Sequence, residues 1–177
     1  MAGLTFRELD LPGVVLVGSV PTPDERGSFG RTFDQAAFRE RGLPVDVAQE
    51  SVSRNLRTHT LRGLHGTLAA MPEAKYVSCT RGRIFDVVAD ARPGSPSFGR
   101  WISVELDDAR DEQLFIPAGY LHGFQTLCEQ TIVRYRMMVP FDPDAFEGAH
   151  YASPSLGIRW PAVPSIVSPR DLALPAL

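Results

Sequence analysis

Residues 61–65 read Leu-Arg-Gly-Leu-His, a stretch that is too short and too interrupted by glycine to form a helix. It is therefore interpreted as part of an extended strand. On a regular strand Arg62 and His65, three positions apart, would lie on opposite faces of the sheet. A bend at Gly63 would bring both to one face, where an arginine that binds anions and a histidine that transfers protons could share a cavity. A structural histidine beside a surface arginine is the alternative interpretation of these five residues.

The composition is typical of one globular domain. The chain has 177 residues, of which 44% are hydrophobic, so residues 1–177 are predicted to form a single domain with a sizeable core. The net charge of -3 and the isoelectric point near 5.8 argue against nucleic acid as a partner. The two cysteines, Cys79 and Cys128, lack metal-ligand spacing, and no segment resembles a signal peptide or a membrane span. We therefore expect a soluble, cytoplasmic protein that does not bind membranes.

Short apolar or alternating segments recur along the chain between turns rich in glycine and proline. The predicted strands are Val14–Val17, Lys75–Thr80, Arg83–Ala89, Trp101–Leu106, Gln113–Ile116 and Thr131–Met138. One helix is predicted over Asp34–Arg41, with Asp34 as its N-cap and Gly42 as its stop. Many short strands with tight turns indicate an all-β barrel or sandwich. The proline-rich tail from Pro161 onward is expected to wrap around the surface.

Two of these segments can be interpreted face by face. In Thr131–Val139, Tyr135 lies on the more apolar face and the two arginines lie on the other face. Core packing is the commoner reason for an inward tyrosine, whose hydroxyl then needs a partner. In residues 84–90, Asp86 and Asp90 share a face with apolar side chains. If that face points inward, the two carboxylates need partners such as arginine or histidine.

Few side chains of this sequence can do acid–base chemistry. They are the four histidines, Tyr135, several carboxylates and Lys75, which is the only lysine. His122 lies in a turn-rich segment, Ile116–Phe124, that leads into a strand. Metal-binding β-barrels often use two histidines one residue apart plus a carboxylate, and the sequence has no such histidine pair. The sequence therefore gives no reason to assign a metal, and no cofactor is expected.

Eight segments in one order, spread over nearly the whole chain, resemble the dTDP-4-dehydrorhamnose 3,5-epimerase family. The segments are DERGSF at 24–29, QESVS at 49–53, LRGLH at 61–65, AKYV at 74–77, DVVADAR at 86–92, GSPSFGRW at 94–101, IPAGYLHGF at 116–124 and SPSLGIRWP at 153–161. The resemblance implies a metal-free, cupin-like double-stranded β-helix, which is a jelly-roll barrel with a few short helices. It also implies a homodimer in which neighbouring subunits exchange edge strands.

The resemblance further implies a mechanism with three catalytic residues. The 4-keto group of the sugar acidifies the protons on C3 and C5, so a base can remove them if the enolate is stabilised. His65 corresponds to that base, and Lys75 corresponds to a cation beside the enolate oxygen. Tyr135 corresponds to the acid that returns a proton on the opposite face of the sugar.

Substrate-binding roles are implied for other positions. Arg26 and Arg62 correspond to residues that hold the diphosphate, a task suited to a forked guanidinium. Phe29 corresponds to a ring that stacks on the nucleotide base. Gln49 and His122 correspond to residues that line the substrate site.

The chain departs from the family pattern at several of these positions. The aspartate that orients the base is expected in an Asp-Pro pair where this chain has Ser153-Pro154, and a serine does not stabilise an imidazolium with a full charge. Glu50 is a candidate for a compensating charge near the sugar, although strand alternation points it away from the face of Gln49. The other departures are Ser51 for an asparagine, Thr67 for a glutamine, Phe141 for a tyrosine near the sugar, and Arg31 for a glutamate that helps to bind the nucleotide.

One function and two alternatives follow from these observations. We expect an epimerase that acts at C3, C5 or both on a nucleotide-linked, dTDP-type 4-keto-6-deoxyhexose in deoxysugar biosynthesis. The first alternative is a related enzyme that uses the same pocket for another isomerisation or a dehydration. The second is a non-catalytic cupin that binds sugar nucleotides, because Ser153 replaces the expected partner of the base. The retained His65, Lys75 and Tyr135 favour changed specificity over lost catalysis.

Overall fold

The computed structural model describes residues 3–67 and 73–177 of the chain. The strands are β1 (Gly3–Glu8), β2 (Val15–Val20), β3 (Thr22–Asp24), β4 (Gly27–Phe29), β5 (Gln49–Asn55), β6 (Leu61–Gly66), β7 (Lys75–Arg81), β8 (Arg83–Ala89), β9 (Trp101–Asp107), β10 (Gln113–Ile116), β11 (Leu121–Thr126), β12 (Thr131–Met137) and β13 (Glu147–Gly148). The helices of the described residues are α1 (Gln35–Glu40) and α2 (Pro169–Leu172).

Two antiparallel sheets form the barrel. One has six strands in the order β1-β2-β10-β7-β12-β5, and the other has five in the order β13-β6-β11-β8-β9. Side chains from both sheets meet in one buried core, in which Val77 and Val133 of the first sheet pack with Ile84 and Phe124 of the second. This arrangement confirms the predicted all-β, cupin-like jelly-roll barrel with a few short helices.

Most elements that the sequence predicted are present at nearly the predicted bounds. Strands β8 and β10 have the predicted bounds, and the helix begins one residue after Asp34. The Asp34 carboxylate accepts hydrogen bonds from the backbone N–H groups of Ala36 and Ala37 at 3.1 and 3.2 Å, as an N-cap does. Gly42 follows the helix with a φ of 69°, a conformation that ends helices and that glycine adopts without strain.

The buried carboxylates of β8 and its C-terminal end have the partners that their burial requires. Asp86 and Asp90 are both fully buried. An oxygen of Asp86 lies 2.9 Å from Nε2 of His122. Asp90 accepts hydrogen bonds from Arg92 at 2.6 Å and from the hydroxyl of Ser97. Burial by itself would raise the pKa of Asp90, but these hydrogen bonds outweigh it and hold the pKa below its usual range. The predicted polar interior is therefore confirmed.

Strand β6 bends at Gly63 and thereby changes the face on which its side chains lie. It pairs with β11 so that His65 is opposite His122, whereas Arg62 is opposite Phe124. Three residues of β6 thus span two residues of β11, as in a β-bulge. Because the two partner residues share a face of β11, Arg62 and His65 share a face of β6, which looks toward the six-stranded sheet. The predicted bend is confirmed.

Position 63 has no room for a side chain. A β-carbon there would lie 2.6 Å from Cα of Gly123 and 2.7 Å from the carbonyl oxygen of His122. The φ of Gly63 is 111°, which residues with a β-carbon rarely adopt. The close approach of β6 to β11 and the backbone conformation both require glycine.

The tail from Pro161 lies mostly on the surface, as expected, but its Asp171 is buried. Helix α2 packs against β6, and its Asp171 is only 4% exposed. The hydroxyl of Ser168 accepts a hydrogen bond from the backbone N–H of Asp171 at 3.1 Å and caps the helix. The tail therefore delivers one buried carboxylate to β6 while most of its other residues remain at the surface.

The helices in residues 3–67 and 73–177 are all too short and too polar to cross a lipid bilayer.

We predict that Gly63→Ala destabilises the protein by at least about 2 kcal/mol, because the added methyl group overlaps the backbone of β11 and the φ of position 63 becomes strained. Chemical denaturation followed by circular dichroism measures this change. Gly3→Ala is the matched control, since a β-carbon at this strand glycine meets no atom within 4 Å. We expect Gly3→Ala to change stability by less than about 0.5 kcal/mol. Equal stabilities of the two variants would contradict the assignment of the bend to Gly63.

Candidate active site

A cavity of about 300 Å³ lies between the two sheets. Strands β5, β6, β7 and β12 line it, together with the segments that follow β6 and β12. Its polar lining includes Ser51, His65, Thr67, Glu73, Lys75 and Tyr135. The fold therefore brings the three residues predicted to be catalytic into one cavity.

His65 has a carboxylate partner, and that partner is Asp171. Nε2 of His65 lies 2.7 Å from Oδ1 of Asp171, and Oδ2 accepts a hydrogen bond from the backbone N–H of Gly63 at 3.1 Å. Because a carboxylate only accepts hydrogen bonds, it favours the tautomer with the proton on Nε2 and leaves Nδ1 as the basic nitrogen. The bend at Gly63 thus supplies both the orientation of His65 and a hydrogen bond to its partner.

The environment of His65 keeps its imidazole neutral to a lower pH than usual. Burial lowers the pKa of His65, whereas the hydrogen bond and charge of Asp171 raise it, and the pKa remains below its ordinary value of 6.5. The side chain is 32% exposed, so it remains accessible from the cavity. A neutral, accessible imidazole is the form that accepts a proton.

The prediction that Ser153 stands where the partner of His65 should be is wrong. The Ser153 hydroxyl donates a hydrogen bond to the carbonyl oxygen of His150 at 2.7 Å and accepts one from the backbone N–H of Leu177 at 3.2 Å. It is nearly fully buried and holds the end of the tail against the preceding loop. Ser153 is therefore a tail anchor, and the orienting carboxylate comes from Asp171.

Phe146 forms the cavity wall beside the imidazole, and Arg170 contacts this phenylalanine. The ring of Phe146 lies 5.0 Å from the ring of His65, centroid to centroid. The guanidinium of Arg170 lies 3.7 Å from the centroid of the same phenylalanine, in the range of a cation–π contact. Two consecutive residues of the tail thus act at this end of the cavity. Arg170 contacts the wall residue Phe146, and Asp171 is the partner of His65.

Tyr135 faces inward, as its position on β12 predicted. Its ring packs edge-on to His122 at 6.0 Å. Burial raises the pKa of Tyr135, the charge of Asp86 raises it further, and the charge of Arg62 acts in the opposite direction. The hydroxyl therefore stays protonated at neutral pH and is available as a proton donor.

His122 lies behind the cavity rather than in its lining. It is 4% exposed, and its Nε2 contacts both carboxylate oxygens of Asp86, at 2.9 and 3.1 Å. It lies opposite His65 across the β6–β11 pair. His122 thus packs against the ring of Tyr135 and pairs with the strand that carries His65.

Lys75 enters the cavity with a carboxylate beside it. Its ammonium lies 2.7 Å from Oε1 of Glu73, and the two side chains are 9% and 13% exposed. The neighbouring Tyr76 points to the other face of β7, where its hydroxyl donates a hydrogen bond to the carbonyl of Pro44 at 2.8 Å. Tyr76 is buried on that face, and strand alternation therefore directs Lys75 into the cavity.

Of the other substrate-binding candidates, Ser51 and Phe141 are in the cavity lining, whereas Arg62 and Gln49 are exposed and outside it. Nε of Arg62 donates a hydrogen bond to Oδ1 of Asn55 at 2.8 Å. Ser51 and Phe141 line the cavity directly. Gln49 lies at its edge, where its side-chain oxygen accepts a hydrogen bond from the backbone N–H of Phe141 at 2.7 Å.

Glu50 does not belong to this group. It lies on the opposite face of β5, where it pairs with Arg134 at 3.4 Å and with Arg136 at 3.3 Å. The assignment of Glu50 as a substrate-binding residue is therefore corrected. The physical reason is the strand alternation that places Ser51, and not Glu50, beside Tyr135.

Arg26 and Phe29 do not line the cavity within this chain. They lie on the β3–β4 hairpin, whose two strands pair with each other. Arg26 forms an ion pair with Asp24 at 2.6 Å, and Phe29 is 77% exposed. Arg31 follows the hairpin and pairs with Asp34 at 2.9 Å.

Sequence reasoning missed Phe146 of the cavity wall and the carboxylate partners of His65 and Lys75, which are Asp171 and Glu73. A signal for Asp171 was available, because the residues 168–171 read Ser-Pro-Arg-Asp, a pattern that begins helices. Glu73 carried a weaker signal, its position two residues before the only lysine. Within the described residues there is no cluster of three histidine, cysteine or acidic side chains that could hold a metal ion.

The site as built can move protons at a carbon next to a carbonyl group. A neutral imidazole with an oriented partner can accept a proton, a cation can stabilise the oxyanion that forms, and a protonated phenol can donate a proton. His65, Lys75 and Tyr135 supply these three groups in one cavity.

Comparison with known proteins agrees with this chemistry. The model of the dTDP-4-dehydrorhamnose 3,5-epimerase family matches residues 8–177. The dTDP-4-dehydrorhamnose 3,5-epimerase of Sinorhizobium fredii is 36% identical over 173 residues, which cover 97% of this chain and 89% of the relative.

Two solved structures of sugar epimerases share the fold. NovW, a 4-keto-6-deoxy sugar epimerase from the novobiocin cluster of Streptomyces spheroides, superposes with a TM-score of 0.92 at 34% identity, covering 98% of this chain and 87% of NovW. ChmJ, a 3'-monoepimerase from Streptomyces bikiniensis in complex with dTDP-quinovose, superposes with a TM-score of 0.88 at 34% identity, covering 95% and 85%. Sequence, fold and the geometry of the cavity agree, and the chain belongs to the dTDP-4-dehydrorhamnose 3,5-epimerase family.

Proposed function

We propose that the protein is a single-domain isomerase that epimerises a dTDP-linked 4-keto-6-deoxyhexose at C3, C5 or both, in deoxysugar biosynthesis. Membership of the family supports the reaction class and the type of substrate. The observation that carries the proposal is the 2.7 Å contact between His65 and Asp171. Through this contact Asp171 orients the His65 base, as the reaction requires. Ser153 does not contact His65 and cannot orient it.

The reaction proceeds by transfer of protons. His65 removes the proton from the carbon next to the ketone, and the electron pair of the C–H bond moves to the carbonyl oxygen as an enolate. Lys75 stabilises that oxygen, where negative charge develops. Tyr135 then donates its proton to the same carbon from the other side, and the C–O double bond re-forms. Exchange of protons with water restores the imidazole and the phenol.

The nucleotide end of the substrate is assigned to residues outside the proton-transfer group. Arg62, which is held by Asn55, binds the diphosphate. Gln49, Ser51 and Phe141 contact the substrate along β5 and after β12. ChmJ, which is in complex with dTDP-quinovose, supports a dTDP-linked ligand.

Arg26 and Phe29 act in a homodimer in this proposal. Their hairpin is a separate two-stranded sheet, and among residues 3–67 and 73–177 the edge strand β5 pairs with a neighbour on one side only. If neighbouring subunits exchange edge elements, the hairpin of one subunit brings Arg26 to the diphosphate and Phe29 to the base of a nucleotide in the other. The high exposure of Phe29 supports this arrangement.

The alternatives to epimerisation are not favoured. A binding protein and a different reaction were alternatives because Ser153 occupies the position at which the carboxylate partner of the base was expected. Asp171 supplies that carboxylate, and the relatives that match nearly the whole chain are epimerases.

We predict that incubation with a dTDP-linked 4-keto-6-deoxyglucose in D2O places deuterium at C3, C5 or both, because each proton that Tyr135 donates comes from solvent. Proton NMR and mass spectrometry of the product measure the exchange and its position. Tyr135→Phe keeps the ring and removes the acid, so it is expected to exchange deuterium without inverting the carbon. Absence of deuterium above an enzyme-free sample would contradict epimerisation, and loss of water from the product would point to a dehydratase.

We predict that Asp171→Asn lowers kcat by about two to four orders of magnitude, by analogy with other histidine–carboxylate pairs. The base works as neutral imidazole, so activity rises with pH through the pKa of His65, which lies below 6.5. Asp171 raises this pKa, so its loss should move the acid limb of the pH–rate profile to lower pH. Steady-state kinetics from pH 4 to pH 8 would measure both effects.

Ser153→Ala is the control for this prediction. It removes two hydrogen bonds of the tail anchor and leaves the carboxylate in place. We expect a lower melting temperature, a fall in kcat of less than about tenfold, and an unchanged acid limb. A loss of activity as large as that of Asp171→Asn would contradict this assignment and indicate that Ser153 is the functional partner of His65.

A further inference from the structure

The pair of Glu73 and Lys75 makes one end of the cavity electrically neutral. The two charged groups are 2.7 Å apart, and both side chains are largely buried in the cavity wall. An ammonium group has three N–H donors, so its bond to Glu73 leaves two for a substrate oxygen. Lys75 therefore remains a hydrogen-bond donor while its charge is compensated.

Glu73 is held firmly in this position. Its backbone N–H donates a hydrogen bond to Oγ1 of Thr67 at 2.9 Å. The carbonyl of the next residue, Ala74, accepts one from the backbone N–H of Met138 at 3.0 Å. The main chain is thus tied to the segment after His65 on one side and to the end of β12 on the other. A carboxylate placed in this way is a built feature of the cavity.

Lys75 is buried in the cavity wall and Arg62 is exposed outside the lining, and these two cations differ in their charge balance. Arg62 donates its Nε–H to the neutral amide of Asn55 at 2.8 Å. Within residues 3–67 and 73–177, Arg62 has no carboxylate partner at ion-pair distance, whereas Lys75 has Glu73. The positive potential that attracts an anion is therefore concentrated at Arg62.

The substrate class named above has a matching asymmetry. One end of a nucleotide sugar is an anionic diphosphate, and the other is an uncharged keto sugar. Resting on the proposed function, we propose that Glu73 is a specificity-determining residue that keeps the diphosphate away from Lys75 and reserves this lysine for the keto sugar. It acts by repulsion of the wrong binding mode, while Arg62 attracts the diphosphate to its own side.

The inference has a kinetic signature. A ligand bound with its diphosphate at Lys75 is unreactive, because the carbon next to the ketone is then far from His65. Such a mode stabilises the bound ground state and not the transition state. If Glu73 suppresses it, Glu73→Gln lowers kcat and KM by a similar factor and leaves kcat/KM nearly unchanged. The glutamine keeps the size of the side chain and its hydrogen-bond acceptor, so the variant isolates the charge.

The direct test measures binding of inorganic pyrophosphate to the full chain by isothermal titration calorimetry. Glu73→Gln is expected to bind pyrophosphate about tenfold more tightly than the unchanged protein, because one repelling charge is removed from the cavity. Glu105→Gln is the matched control, since this carboxylate forms an exposed pair with Arg83 outside the cavity. It is expected to leave the affinity unchanged.

Two further variants complete a thermodynamic cycle. Lys75→Gln leaves the carboxylate uncompensated and is expected to weaken pyrophosphate binding. The double variant Glu73→Gln with Lys75→Gln is neutral again and is expected to bind like the unchanged protein. If Glu73→Gln does not fold, as judged by thermal melting, the comparison of Lys75→Gln with the double variant still measures the effect of the Glu73 charge.

Equal pyrophosphate affinity, within twofold, of variants with and without the Glu73 charge would overturn the proposal. A fall in kcat/KM at unchanged KM in Glu73→Gln would also overturn it, since Glu73 would then act in the transition state. Pyrophosphate binding needs no turnover, and deuterium exchange from solvent does not depend on pyrophosphate. Failure of this inference is therefore distinguishable from failure of the proposed epimerisation.

Discussion

The carboxylate of Asp171 joins two parts of the chain that are more than a hundred residues apart. One oxygen contacts His65, 106 residues away, and the other accepts the backbone N–H of Gly63. The contact to His65 requires the bend of β6, and the bend requires glycine because β11 lies too close for a side chain. Beyond α2 the tail is anchored where the Ser153 hydroxyl accepts a hydrogen bond from the backbone N–H of Leu177. The bend in β6, the tail and the base His65 therefore meet at the carboxylate of Asp171.

The fold was predictable where residue pattern and burial agree. The strands β8 and β10 are apolar and bounded by turns, and Asp34 had the spacing of an N-cap, so their bounds were predicted closely. The strands that were not singled out, such as β1 and the short β13, are only partly buried and have no strong apolar pattern. Their positions are set by pairing with neighbours across the sheet, which no local pattern records.

The site was predictable for groups that lie on strands with a clear face. Tyr135 faces inward because of strand alternation. The same alternation turns Glu50 outward, which could be predicted from the sequence. The partner of His65 was misassigned to Ser153, since contacts across the chain do not follow from spacing. Arg26 and Phe29 lie on a hairpin outside the cavity of this chain, and the roles proposed for them depend on the proposed homodimer. Contacts of this hairpin with another subunit cannot be predicted from the local residue pattern.

The position of Asp171 in the chain has a consequence for the order in which the protein is made. Every strand of the barrel precedes the tail, and so do His65, Lys75 and Tyr135. During synthesis from the N-terminus, the ribosome releases all residues of the two sheets before it releases α2. The barrel can therefore close while its base still lacks a partner. His65 therefore has its carboxylate partner only when α2 is docked against β6.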